Sequence, residues 1–292
     1  MTDTSISGLV TSRDGTRLAV HDLGGKGQPL LIAHATGFHA RAYRPFTELL
    51  TSDFHVIGYD ARSHGESDAP PVDQAGKPRL DPLDFAGDVL SVVDALGLED
   101  PVGFGHSAGA SALVLAEEEQ PATFAALYCF EPVIVPSDDP PPHDPDNPLS
   151  RRARLRRRTF PSLQAAYDNY ASKPPLALLA PDALRAYVEL GFEAGPEGAV
   201  QLCCEPEHEA LMYAQGLTHH AFCRLGDLSC PVTLACGETT DAIGPDILAS
   251  LAARMPQCQV EVLPGLGHFG PLEDPQAVAA SVLASFGRRR QR

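Results

Sequence analysis

Residues 102–109 read Val-Gly-Phe-Gly-His-Ser-Ala-Gly, and their reading decides the fold. Residues 102–106, VGFGH, form a short apolar run of buried-strand type, and residues 107–119 read as a helix. Gly105-His106-Ser107-Ala108-Gly109 is therefore a GxSxG placed between a strand and a helix. A sharp strand-to-helix turn lifts a serine side chain clear of the backbone, and only small flanking residues let such a turn close. The helix N-terminus behind the serine favours negative charge developing there. Ser107 is the candidate nucleophile.

Working outward, short apolar runs alternate with helical stretches, the pattern of a parallel sheet covered on both faces. Residues 7–12 and 16–22 flank the turn signal Arg-Asp-Gly and read as a starting hairpin. LLIAHA (30–35) and HVIGYD (55–60) read as buried strands, and 84–97 as an amphipathic helix stopped by glycine. A strand is expected at 125–131. Segment 136–148 then holds six prolines and reads as a linker. Beyond it, 149–158, 162–171, 181–191 and 207–216 read as helices, with no clear strand up to 225. The strand–helix rhythm returns at 231–236 and 259–263, with a last helix from about 274. This divides the chain into an α/β core, 1–135 plus 226–292, and a helical cap, 136–225, placed to act as a lid.

Serine is a weak nucleophile at neutral pH and needs a base. Of eleven histidines, His268 is best placed, in a glycine-rich loop after the last expected strand. In open α/β sheets catalytic groups gather at the carboxyl ends of strands. The base needs a carboxylate to hold its tautomer. Asp241, after strand 231–236, gives the chain order Ser…Asp…His and is favoured. Glu131, at the end of strand 125–131, is the alternative, and Glu238 a further rival. An acyl-transfer site also needs oxyanion donors. The N–H of Ala108 is one, and Thr36, in the loop after strand 30–35, is assigned as the other.

The chain resembles the α/β-hydrolase family over nearly its whole length. The resemblance rests on HATGF (34–38), YDARSHGES (59–67), GHSAG (105–109), CGETTDAI (236–243) and GHFGPLEDP (267–275). It implies an eight-stranded, mostly parallel sheet flanked by helices, with a helical cap after the sixth strand. It also implies a triad of Ser107, Asp241 and His268, with Thr36 and Ala108 at the oxyanion hole. Two departures stand out. The family's usual His-Gly reads His34-Ala35, and the acid loop runs one residue longer than in many relatives, which keeps Glu131 open. A serine nucleophile sets the chain apart from members of this fold that attack with aspartate.

The expected enzyme is a carboxylic-ester hydrolase working through an acyl-enzyme. The same triad serves cleavage of a C–C bond, a lactone or a thioester, and perhydrolase or acyl-transfer chemistry. A ligand receptor with a hydrolase fold is the alternative of another class. Phe38, His39 and His106 are candidate pocket residues, as are the cap tyrosines 167, 170, 187 and 213.

Composition narrows the partners to a small-molecule substrate. A net charge of −16 argues against nucleic acid. No apolar run is long enough to span a bilayer. The N-terminal fifteen residues lack the features of a signal peptide, giving an expected cytoplasmic location. Seven cysteines, an odd number with no CxxC pair, argue against disulfides and zinc. HExxH, GxGxxG and P-loop patterns are missing, so no metal or cofactor is implied. The basic run RRARLRRR (151–158) is read as a solvated helix face, and RRRQR (288–292) as a frayed end.

Overall fold

Leu30, Leu31, Ile32 and Ala33 are completely buried, the mark of a strand covered on both faces. Successive side chains alternate between two cores: Leu31 and Ala33 join one, Leu30 and Ile32 the other. The computed structural model describes residues 7–289 and the side chains of 7–287. Most of the basic tail, and the first six residues of the stretch read for a signal peptide, lie outside these.

The first half contains β1 (Gly8–Thr11), β2 (Arg17–Gly25), β3 (Gln28–Ala33), α1 (Arg44–Thr47), β4 (Phe54–Tyr59) and α2 (Pro82–Leu96). The sequence continues through β5 (Val102–His106), α3 (Ala108–Glu119) and β6 (Ala126–Phe130). An inserted stretch follows, with α4 (Pro148–Arg154), β7 (Thr159–Phe160), α5 (Leu163–Ala171), α6 (Pro181–Leu190), β8 (Phe192–Ala194), β9 (Val200–Leu202) and α7 (Pro206–Gln215). The chain closes with α8 (Ala221–Arg224), β10 (Val232–Gly237), α9 (Pro245–Ala252), β11 (Cys258–Leu263), α10 (Gly270–Glu273) and α11 (Pro275–Arg289).

The main sheet has eight strands in the order β1-β2-β4-β3-β5-β6-β10-β11. β2 pairs antiparallel with β1 and β4, and the remaining pairs are parallel. This is the α/β architecture the sequence predicts. α2, α3 and α9 share one core with Leu113, Val114 and Leu234, and α11 covers the other with Val282 and Phe286.

The insertion departs from expectation in two ways. It holds a three-stranded antiparallel sheet, β7-β9-β8, where no strand was expected. Its arginine run is not simply a solvated helix face. The helix ends at Arg154, and Arg154, Arg156 and Arg158 pair with Glu207, Glu209 and Glu205 at the start of α7. No helix among the described residues is long and apolar enough to cross a membrane.

Candidate active site

The strand-to-helix turn at Ser107 is tight. Ser107 adopts φ 56°, ψ −121°, a costly conformation for a residue with a side chain. Its N–H donates to the Phe130 carbonyl at 2.9 Å, pinning the turn to β6. Both motif glycines are sterically required. A Cβ on Gly105 would sit 2.4 Å from Ala110 Cα, and one on Gly109 would sit 2.2 Å from the Ala33 carbonyl oxygen.

The loop that carries His268 follows β11, an edge strand of the sheet. His268 Nδ1 meets Glu131 Oε2 at 2.6 Å. The Nδ1 hydrogen then goes to the carboxylate, and Nε2 keeps a free lone pair. Glu273 grips the backbone on either side of His268, accepting from Gly267 N–H at 2.8 Å and Phe269 N–H at 3.1 Å. The His268 ring stands 5.1 Å from the ring of His106, the residue preceding Ser107. No hydrogen bond joins Ser107 Oγ to His268 among the described residues.

The carboxylate beside His268 is therefore Glu131, where the sequence favoured Asp241. Glu131 closes β6 at φ 49°, and its side chain is completely buried. It also accepts from Gly237 N–H at 3.1 Å, Thr240 Oγ1 at 2.8 Å and Ile243 N–H at 3.3 Å. These donors come from the last residue of β10 and the loop after it, the loop expected to carry the acid. The loop wraps around Glu131 and leaves Asp241 exposed to solvent. Glu238 accepts from Gly265 N–H at 2.9 Å and so anchors the turn ahead of His268. Gly237 lets that turn pass, since a Cβ there would sit 2.2 Å from the Leu266 carbonyl oxygen.

The loop after β3 faces Ser107 across the motif glycine. Gly37 N–H donates to His64 Nε2 at 2.9 Å and Phe38 N–H to the Ala35 carbonyl at 3.1 Å. Thr36 N–H has no acceptor among the described residues. Ala108 opens α3, so its N–H has no acceptor one turn back. Thr36 and Ala108 line the same cleft. His34 and His64 brace this loop, each donating from Nδ1 to a backbone carbonyl and accepting a backbone N–H at Nε2. Burial lowers both imidazoles, His64 to about 3, so they stay neutral.

The pocket candidates are placed elsewhere. His106 is wholly buried, and its Nε2 donates to the His268 carbonyl at 2.8 Å. Its Nδ1 therefore accepts from the Tyr43 hydroxyl at 2.6 Å, while that oxygen accepts from Ala35 N–H at 3.1 Å. One directed chain thus ties the loop after β3, the end of β5 and the loop after β11 together. His39 is buried, stacked on Tyr187 and bonded to its carbonyl at 3.2 Å. Phe38 packs between Tyr187 and Phe269, with ring centroids at 5.1 and 5.5 Å. Tyr170 and Tyr187 direct their hydroxyls at Arg156, and Tyr167 stacks with Arg185. Tyr213 accepts from Asn147 through its carbonyl, and none of the four tyrosines lines the cleft.

Fold and site together define a hydrolase, and residues 30–281 match the Alpha/beta hydrolase family, so the chain belongs to that family. It is 24% identical over 247 residues to 2-(acetamidomethylene)succinate hydrolase of Mesorhizobium japonicum, spanning 84% of this chain and 83% of that one. The crystal structure of E-2-(acetamidomethylene)succinate hydrolase matches with a TM-score of 0.81 at 22% identity, over 95% and 97% of the two chains. A malate-bound thermophilic esterase from Thermogutta terrifontis matches with a TM-score of 0.71 at 21% identity, over 97% and 98%. At such identities the structural matches establish the fold alone.

Proposed function

We propose that this hydrolase cleaves a carboxylic ester, or a related acyl compound, through an acyl-enzyme on Ser107. The observation that carries the reading is the 2.6 Å contact of His268 Nδ1 with the buried Glu131 carboxylate, next to Phe130, whose carbonyl holds the strained Ser107 turn. His268 Nε2 takes the proton of Ser107 as its oxygen attacks the carbonyl. Glu131 stabilises the imidazolium. The oxyanion is received by the N–H groups of Thr36 and Ala108. The imidazolium protonates the departing alcohol. Water, deprotonated by the same nitrogen, then releases the acid and restores the serine.

Labelling with a fluorophosphonate, read by intact mass and peptide mapping, tests the reading without a known substrate. Single labelling at Ser107 is expected, with a loss of roughly 10⁴-fold or more in rate for His268→Ala. Folded protein that does not label, or that labels elsewhere, would sink it.

A further inference from the structure

The cleft beside Thr36 and Ala108 is small, about 30 Å³, and partly open to solvent. Its walls are Phe85 from α2, Ala112 and Leu115 from α3, and Met212 from α7. A second recess shares Thr36, Phe85, Ala108 and Met212 and runs on to His34 and His64.

The polar groups along these walls are neutral, and most are already engaged. Ser111 Oγ and His219 Nε2 both donate to the Val133 carbonyl, each at 3.0 Å. His34 and His64 give their ring nitrogens to the backbone. Among the described residues, neither recess is lined by an arginine, a lysine or a carboxylate. A cation does stand near the oxyanion loop. Arg156 Nη1 lies 3.3 Å from where a Cβ on Gly37 would be. Its charge is matched there by Glu209, itself buried, and its other donors meet Tyr187 and Tyr170.

The geometry points to a substrate whose arm in this cleft is uncharged and apolar, a small alkyl group and not a carboxylate-bearing one. This rests on the reading of Ser107 as nucleophile. A carboxylate entering the cleft would give up hydration with no cation to replace it. The net charge of −16 adds repulsion on approach. Phe85, Leu115 and Met212 reward apolar surface instead.

Four phosphonate probes test this. They are matched in length and end in methyl or carboxylate on either the alkyl or the alkoxy arm, and the rate of Ser107 labelling is measured. On the arm that enters the cleft, the carboxylate is expected to slow labelling roughly 100-fold. That gap should persist in about 1 M salt, where the Debye length is about 3 Å. Gln215→Arg, which sets a cation in the cleft wall, should speed the carboxylate probe at least about tenfold. Carboxylate probes that label within a few-fold of their methyl partners on both arms would overturn the inference. So would a gap that vanishes in high salt, since long-range charge would then be its cause. Failure of all four probes on folded protein would overturn the nucleophile reading as well.

Discussion

The loops that follow β6 and β10 leave neighbouring strands at the same edge of the sheet, and each presents a carboxylate. After β6, Glu131 sits immediately beyond the last strand residue, fully buried, with four donors around it. After β10, the chain runs on from Gly237 to Asp241, which ends in solvent. What separates the two is not distance from the histidine along the chain but who supplies the hydrogen bonds. A buried carboxylate holds its charge only if donors replace water. The end of β10 and the loop after it give two N–H groups and the Thr240 hydroxyl to Glu131, and so cradle the carboxylate next door.

The sharpest way to break the comparison is to neutralise each carboxylate in turn. Glu131→Gln keeps the volume but removes the charge opposite the imidazolium. Ser107 acylation should fall roughly 10³–10⁴-fold, the cost typical of losing a triad acid. Asp241→Asn should stay within roughly twofold, as surface substitutions do. Labelling rates on both variants, with circular dichroism as a folding control, decide it. The reverse pattern would return the acid to Asp241.

Thr240→Val sharpens the same comparison at lower amplitude. Its hydroxyl donates at 2.8 Å to Glu131 Oε2, the oxygen that also receives His268 Nδ1. A hydrogen bond to a charged group contributes about 1.5–3 kcal/mol. Only part of that is felt at the base, so kcat is expected to drop roughly tenfold with KM unchanged. Thr240→Ser should restore most of it. A variant that loses stability but keeps kcat would show the loop to be mere packing.

Much of this was legible in the sequence, for identifiable reasons. Strands buried on both faces show as unbroken apolar runs, and Leu30–Ala33 is such a run. The serine turn is a local constraint, so Gly105, Ser107 and Gly109 announce it. Glu131 was visible as a strand-end carboxylate, but the choice over Asp241 depends on the path of the β10 loop, which is tertiary. Tyr43 and Glu273 escaped notice because their roles exist only through contacts with His106 and with the backbone around His268. The small sheet was missed because its strands are two or three residues long, too short for periodicity to register. Phe38 and His39 lie beside the oxyanion loop in sequence, yet their rings turn into packing with Tyr187.

A third carboxylate supplies the control for Glu131. Glu118, near the end of α3, is only 2% exposed, and one of its oxygens has no hydrogen-bond partner. Burial without donors pushes its pKa up to about 8 from an ordinary 4.5, against a weaker opposing pull from Arg224. In the unfolded chain the group loses its proton near its ordinary value, whereas in the fold it keeps it until about pH 8. Between these limits the folded state binds more protons, so stability falls as pH rises and levels off above the upper limit. Glu118→Gln imitates the neutral form at every pH. Its melting temperature should match the parent near pH 5 and exceed it by a few degrees near pH 8.5, for about 1–3 kcal/mol recovered. Thermal melts across that range check the sign. A Glu118→Gln variant no more stable than the parent at the alkaline end would mean that burial alone does not set a carboxylate's cost here, and would weaken the case that donors single out Glu131.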